Sequence, residues 1–350
     1  MRGLAKLAPG RGNVGTAERP EPQVLAGHVV LAVQAAGICG TDLHIADDEF
    51  RSVPPVTMGH EVCGVVESVG DGVDPGWLGV LVVAETYFST CGDCRHCRGG
   101  RTNLCLERRS IGSGVDGAFA PRLVVPVGNL HRVPRGLAAE AAALTEPLAC
   151  CCQCLLDPVV VQEGDAVLVV GPGPVGLIAA QVARDCGGLV HVRGVARDGV
   201  RLHKARELGF ETSVAPDALT GEFDVVIECS GSADGIAACF EHVRRGGRYV
   251  QVGLASRPVL VPFDEVCYRE LVVTGGNAST PASWVRAIKL LERGAVDLAT
   301  LVTDVVPLEE WERGFALTRS ASCVKVVIDP RASQRVGDVA EIGYFAPERS

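Results

Sequence analysis

A chain of 350 residues that is 47% apolar and 21% charged is long enough to bury two cores of ordinary domain size. Its formal net charge of -9 is spread without a basic stripe, which argues against a nucleic-acid or anionic-membrane binder. The opening "MRGLAKLAPGRGNVG" has no apolar core of signal-peptide length, and Gly, Pro or charge interrupts every later apolar run, so a soluble, cytoplasmic protein is expected.

From Val24 to about Val133, short Val-rich runs such as "HVVLAV", "GVVESV" and "VLVVAE" are separated by Gly, Pro and Asp, which predicts an all-β, barrel-like region. "GLAAEAAALTEPLACCCQCLLD" then shifts to helical spacing, with Pro147 expected at the first helical position and a domain junction near residue 150. From "DAVLVVGPGPVGLIAAQVARDCG" onwards, strand-like runs alternate with helical ones, predicting a parallel doubly wound sheet and an α/β class overall. Beyond Pro281, "SWVRAIKLLERG" reads as a helix and "CVKVVIDP" as a strand, both expected to rejoin the first unit. The expected units are therefore 1–150 with 281–350, and 151–280; the polar residues 331–350 are expected to fray.

Fifteen cysteines are an odd total, and in a reducing compartment a disulfide framework is not expected. Cys91, Cys94, Cys97 and Cys105 are spaced C-x2-C-x2-C-x7-C, with Gly92, Gly99 and Gly100 able to wrap a small ion. Four thiolates in one loop suit a closed tetrahedral zinc site that does no chemistry. An iron–sulfur cluster is the competing metal, and buried free thiols fit poorly among Asp93, Arg95, His96, Arg98 and Arg101.

A second donor set is dispersed: Cys39, Thr41, Asp42 and His44 in "GICGTDLHI", His60 and Glu61 in "MGHEVCG", and Glu146 in "LTEPLACC". Singly, Cys39 reads as a small buried residue and His60 as a turn histidine. Together, thiolate, imidazole and carboxylate form the mixed set of a catalytic zinc with an open position.

These segments, the four-cysteine loop, "TEPLA" and "GPGPVG" occur in the order and spacing of medium-chain zinc-dependent alcohol dehydrogenases, and residues 20–330 resemble the sorbitol and threonine dehydrogenase branch. The resemblance implies a GroES-like barrel joined to a Rossmann domain, two zinc ions per chain, and an active site in the cleft. It implies that Cys39 and His60 bind the catalytic zinc and that Glu61 and Glu146 share the third protein position; the sequence leaves open which of the two binds directly. Thr41 and His44 then form a proton relay from the substrate hydroxyl, against the plainer readings of a turn hydroxyl and a surface imidazole. Asp42 would orient His60. By alignment with the family, Tyr87 and Phe88 line the substrate pocket, and neither is the histidine found near there in threonine dehydrogenases. "WLGVLVVAE" lacks the Asp-Arg pair often seen before the cysteine loop, and the tail has no family counterpart.

Gly171, Gly173 and Gly176 form G-x-G-x-x-G between a strand and a helix, with Pro174 and Val175 inside the turn, the arrangement that brings a pyrophosphate to a helix N-terminus. Cys229, in "ECSG", and Gly253 and Leu254, in "QVGL", end later strands where the ligand crevice opens. Cys150 sits one turn beyond Glu146, towards the nicotinamide. No acid stands about twenty residues past the turn. Instead Gly194 leaves room while Arg193 and Arg197 offer guanidinium groups to a 2′-phosphate, which favours NADP over NAD; the alternative is that Asp198 does the acid's work.

The expected activity is hydride transfer between a secondary alcohol of a polyol, sugar or cyclitol and NAD(P). Threonine or a simple diol is the near alternative, and a redox-inactive regulator on the same fold is the distant one. The partners expected are a small alcohol or ketone and further copies of the chain, as a tetramer or dimer.

Overall fold

The computed structural model describes residues 1–331 apart from 218, 220 and 256; the tail assigned to 331–350 lies outside them except for Arg331. Strands Arg2–Lys6 and Val14–Glu18 form an antiparallel hairpin to which Val56–Thr57 is added. This hairpin precedes Val24, the point from which the Val-rich pattern predicts strands.

The barrel is organised around the long strand His28–Gly37, which pairs antiparallel with Glu61–Val69 and with Arg122–Pro126. Val29, Leu31 and Val33 point inward by the two-residue period of a strand and are fully buried with Met58, Val66, Phe119 and Val125. Lys325–Asp329 rejoins this sheet through Gly37 opposite Val327, with Val302–Pro307 beyond it. Chain segments almost three hundred residues apart in sequence thereby meet beside Gly37.

The second layer system is a sheet of six parallel strands. In spatial order they are Glu211–Ala215, Leu189–Val195, Ala166–Val170, Phe223–Glu228, Val243–Gln251 and Val272–Gly275. Covered on both faces, the inner strands read as unbroken apolar runs rather than alternating ones. The chain direction of travel reverses between Ala166–Val170 and Phe223–Glu228, so a crevice opens at their C-terminal ends.

The helix Thr145–Leu156 is buried on nearly every side, including Leu148, Cys151, Cys152 and Leu155, because barrel residues Ala35, Cys63 and Val83 share one apolar cluster with the parallel-sheet core. Pro147 is its third residue rather than its first, as the sequence reading had it. The shift is tolerated because none of the first four N–H groups of a helix has an intrahelical acceptor. The helix Pro281–Glu292 packs on this one rather than on the barrel alone. Its Trp284 stacks on His131 of the barrel, ring centroids 5.4 Å apart, and so ties the two systems together.

Candidate metal and dinucleotide site

Cys39 is the N-cap of the helix Gly40–Ala46, two residues after His28–Gly37; His60 immediately precedes the neighbouring strand, which Glu61 opens. Antiparallel pairing sets Gly37 opposite Glu61, and the donor atoms of Cys39, His60 and Glu61 lie within 4.8 Å of one another. Glycine at 37 leaves room for the carboxylate, because a Cβ there would stand 2.1 Å from Glu61 Oε2 and displace it.

The cluster is largely buried and rich in charge. Glu61 is fully buried; its Oε1 accepts a hydrogen bond from Lys325 Nζ at 2.6 Å, while Oε2 has no partner. A buried carboxylate oxygen left unpaired is costly unless a cation completes it. Asp42 Oδ2 accepts from the Cys39 backbone N–H, and its Oδ1, otherwise unpartnered, faces His60 Nδ1 at 3.7 Å. Burial opposes the charged form of His60, yet the Cys39 sulfur and Asp42 outweigh it and raise its pKa well above the usual imidazole value. Burial likewise opposes the charge on Lys325, and Glu61, Cys39 and Asp42 hold its pKa raised all the same. One thiol, one imidazole and one unpaired carboxylate oxygen converging within 4.8 Å fit a zinc ion.

Glu146 stands apart from that cluster. Its Oε1 accepts from Thr86 Oγ1 at 3.0 Å and from Cys150 Sγ at 3.4 Å, and burial followed by the neighbouring charge of Glu61 pushes its pKa up against the pull of His60. The Cys150 thiol is raised well above its usual value by burial and then by Glu146, so it is a neutral donor here. Tyr87 is buried, its hydroxyl has no partner, and burial raises its pKa above the usual phenol range against the pull of the Arg108 charge. Phe88, the next residue of the strand Tyr87–Ser89, points the other way: it packs on the barrel core and its ring lies 5.4 Å from that of His28. The two-residue period of a strand means that two adjacent residues cannot both line one pocket, so Phe88 is corrected to a core residue.

Thr41 Oγ1 lies 3.7 Å from Cys39 Sγ. His44, three residues on along the same short helix, is at the surface with Nδ1 2.9 Å from Glu49 Oε2.

In the cysteine loop, Cys91 Sγ lies 3.9 Å from Cys97 Sγ and 3.6 Å from Cys105 Sγ, and all four sulfurs fall within 4.8 Å of one another. Sulfurs about 2.3 Å from a shared tetrahedral centre are separated by about 3.8 Å, so the spacing is that of a zinc tetrathiolate rather than of a disulfide. Asn103 of this loop donates to the Asn277 carbonyl at 2.9 Å, just beyond the last strand of the parallel sheet.

At the dinucleotide crevice, Gly171 has φ +99°, and a Cβ there would meet the Ser230 backbone at 2.7 Å; a Cβ on Gly176 would meet the Gly171 carbonyl at 1.9 Å. Gly173, the N-cap of the helix Pro174–Asp185, has nothing within 4 Å of its Cβ position, which leaves its backbone open to a pyrophosphate. Cys229 lies beneath this turn, and Gly253 and Leu254 pack against Gly231 beside it. Fully buried Glu228 braces the crevice by accepting from Ser230 N, Gly231 N and Gln251 Nε2.

Arg193 is buried and donates to Ser213 Oγ at 3.2 Å and to the Asp217 carbonyl at 2.9 Å. Its place in the strand turns it towards the neighbouring strand, so the expectation that it serves a 2′-phosphate is corrected. Arg197 is exposed, and Asp198 is buried with Oδ2 accepting from Val195 N at 3.0 Å. The sequence reading missed Thr86, Glu228 and Lys325. Lys325 lies 264 residues from Glu61 and carries no local signal that could have paired the two.

Two family profiles match the chain: "Alcohol dehydrogenase GroES-like domain" over residues 25–135 and "Zinc-binding dehydrogenase" over 174–293. The chain is 36% identical to a sorbitol dehydrogenase of Halalkalibacterium halodurans over 342 residues, covering 94% of this chain and 99% of that one. It is 32% identical to a D-arabitol-phosphate dehydrogenase of Enterococcus avium, covering 94% and 97%. Among solved structures, a zinc-binding dehydrogenase from Sinorhizobium meliloti bound to NADP superposes with a TM-score of 0.84 at 31% identity, covering 94% of this chain and 99% of that one. No helix among the described residues is long and apolar enough to cross a membrane.

Proposed function

The chain belongs to the medium-chain zinc-dependent alcohol dehydrogenase family, and from that premise we propose that it oxidises a secondary hydroxyl of a polyol, sugar or cyclitol to the ketone, with zinc held by Cys39, His60 and Glu61. The observation that carries this reading is the buried, unpartnered Oε2 of Glu61 between the Cys39 and His60 donors. Zinc bound there supplies Lewis acidity, which makes an alcohol proton easier to remove at neutral pH.

The protein's own groups do the rest. Lys325 fixes one oxygen of Glu61 so that the other points at the metal position, and Asp42 orients both the Cys39 backbone and the His60 ring. Thr41 Oγ1 takes the substrate's proton as it gives up its own to the relay, and His44 delivers a proton to solvent through Nε2 because Nδ1 is engaged by Glu49. Thr41 and His44 are spaced i, i+3 and share one face of their helix. Glu146, held by Thr86, and the unpaired hydroxyl of Tyr87 are buried polar groups that a substrate rich in hydroxyls would satisfy.

In the crevice, Gly171, Gly173 and Gly176 with the helix at Pro174 and Val175 take the pyrophosphate, and Cys229, Gly253 and Leu254 border the nicotinamide half. For the 2′ position, Arg197 is exposed and Asp198 is turned inward onto Val195, which supports NADP as the preferred cofactor. A second, structural zinc is proposed in the Cys91, Cys94, Cys97 and Cys105 loop, and a tetramer or dimer as the assembly.

The test is a kcat/KM panel of sorbitol, inositols, a simple diol and L-threonine with either cofactor. Polyols should lead; superiority of L-threonine would refute the substrate reading.

A further inference from the structure

Beside the proposed pocket lies a cavity of about 400 Å³ walled by two segments that also build the site. One is the loop carrying Phe50 and Arg51, which leaves the Thr41–His44 helix through hydrogen bonds from Glu49 N and Phe50 N to the His44 carbonyl. The other follows the cysteine loop and carries Leu106, Glu107, Arg108 and Arg109. Its strand Arg109–Ser110 pairs with Tyr87–Ser89, and the Arg108 guanidinium lies over the Tyr87 ring, 5.8 Å from its centroid.

Three guanidinium groups and one carboxylate line this cavity, and none of the three arginines forms an ion pair among the described residues. Arg108 is positioned by donating to the Cys105 carbonyl and Arg109 by donating to the Gly114 carbonyl, each at 2.9 Å, bonds that orient the forks without neutralising them. Nearer the metal cluster the buried polar groups are mainly acceptors, from Glu61, Glu146 and Asp42, and the one lysine among them, Lys325, is already paired with Glu61. The site therefore has an end lined by buried carboxylate acceptors, which suits hydroxyls, and an arginine-lined end walled by the strand pair of Tyr87–Ser89 and Arg109–Ser110. Three arginines against the single carboxylate of Glu107 leave a net positive lining, and a dianion with three acceptor oxygens matches several planar forks at once.

We propose that Arg51, Arg108 and Arg109 form a subsite for a terminal phosphate, so that the substrate is a polyol phosphate monoester. The inference rests on the polyol reading and narrows its substrate class. The hydroxyl to be oxidised lies towards Glu146 and Tyr87, and the phosphate lies at the far end of the same chain.

The experiment compares sorbitol and arabitol, their terminal phosphate esters, and the matching aldonates, using the zinc-loaded enzyme and full-length variants. The phosphate esters should exceed the parent polyols in kcat/KM by about 100-fold, the scale of one or two charge-assisted hydrogen bonds. In Arg108→Gln/Arg109→Gln that ratio should fall at least tenfold, mainly through KM, and binding of inorganic phosphate, read by calorimetry, should be lost in parallel. Equal kcat/KM for esters and parents, or an unchanged ratio in the double variant, would overturn the phosphate subsite while leaving the polyol reading intact. Aldonates outperforming phosphate esters would overturn it in favour of a carboxylate. Activity on simple alcohols or threonine with none on any polyol, phosphorylated or not, would sink both.

Discussion

Lys325 Nζ donates to Glu61 Oε1 at 2.6 Å, with both side chains almost fully buried and the two residues contributed by strands that flank His28–Gly37 on either side. The contact fixes one carboxylate oxygen and leaves its twin free for a metal. Removing one partner of a buried pair strands the other's charge, so Lys325→Met should destabilise the protein by about 3–5 kcal/mol and lower its zinc affinity at the Cys39 site. Thermal unfolding and zinc retention under a competing chelator read both effects. An unchanged affinity would show that Lys325 serves packing alone.

Thr41 and His44 should differ in weight. Thr41→Val should lower kcat by about 100-fold or more, the scale of a lost general acid–base step. His44→Ala, whose imidazole is at the surface, should lower kcat less and should be partly rescued by high concentrations of small buffers. A pH–rate profile for both variants and the parent decides this, and equal losses without buffer rescue would count against the relay.

Cofactor choice should follow Arg197. Arg197→Ala should weaken kcat/KM for NADP about tenfold, the order of one exposed charge-assisted contact, and leave NAD within a factor of about two. Arg193→Ala should instead lower stability, because that side chain braces Ser213 and the Asp217 carbonyl. A parent enzyme that strongly prefers NAD would refute the assignment.

Asp224 offers a pH test remote from the metal. Its carboxylate accepts from Arg244 Nε at 2.6 Å and from Ala166 N at 2.8 Å, and the Arg244 bond followed by the Ala166 bond lowers its pKa below 3.8. A depressed folded-state pKa gives stability that is present above the unfolded value and lost as pH falls through the folded one. Asp224→Asn should therefore lower Tm near neutrality, by about 1 kcal/mol equivalent for a partly exposed pair, and the difference from the parent should shrink below about pH 4. A difference that stays constant with pH would mean that the charge contributes nothing.

The parts legible in sequence were those whose physics is local. Four cysteines within fifteen positions announce a tetrathiolate loop, and a strand, G-x-G-x-x-G and helix in succession announce the crevice. Periodicity found the inner strands of the parallel sheet because each is a dense apolar run. The hairpin of Arg2–Lys6 and Val14–Glu18 escaped because its strands are short and mix glycine and charge with few apolar residues. The proposal of Glu61 over Glu146 rests on which carboxylate shares a donor cluster with Cys39 and His60, a tertiary fact. The directions of Arg193 and Phe88 depended on which face of a strand each residue takes, and a shift of one position inverts that. Buried Lys325 and Lys6 look like surface lysines in a sequence, since nothing nearby reveals their distant partners.

The central claim is that two separate donor sets each hold zinc and that only the dispersed one supports turnover. Metal analysis of the purified protein and of its Cys39→Ser and Cys97→Ser variants tests it most directly. Two zinc ions per chain are predicted for the parent and one for each variant; Cys39→Ser should be folded and inactive, and Cys97→Ser should unfold at lower temperature because its loop loses its metal. A single zinc or an iron signal in the parent, or activity surviving in Cys39→Ser, would contradict the account.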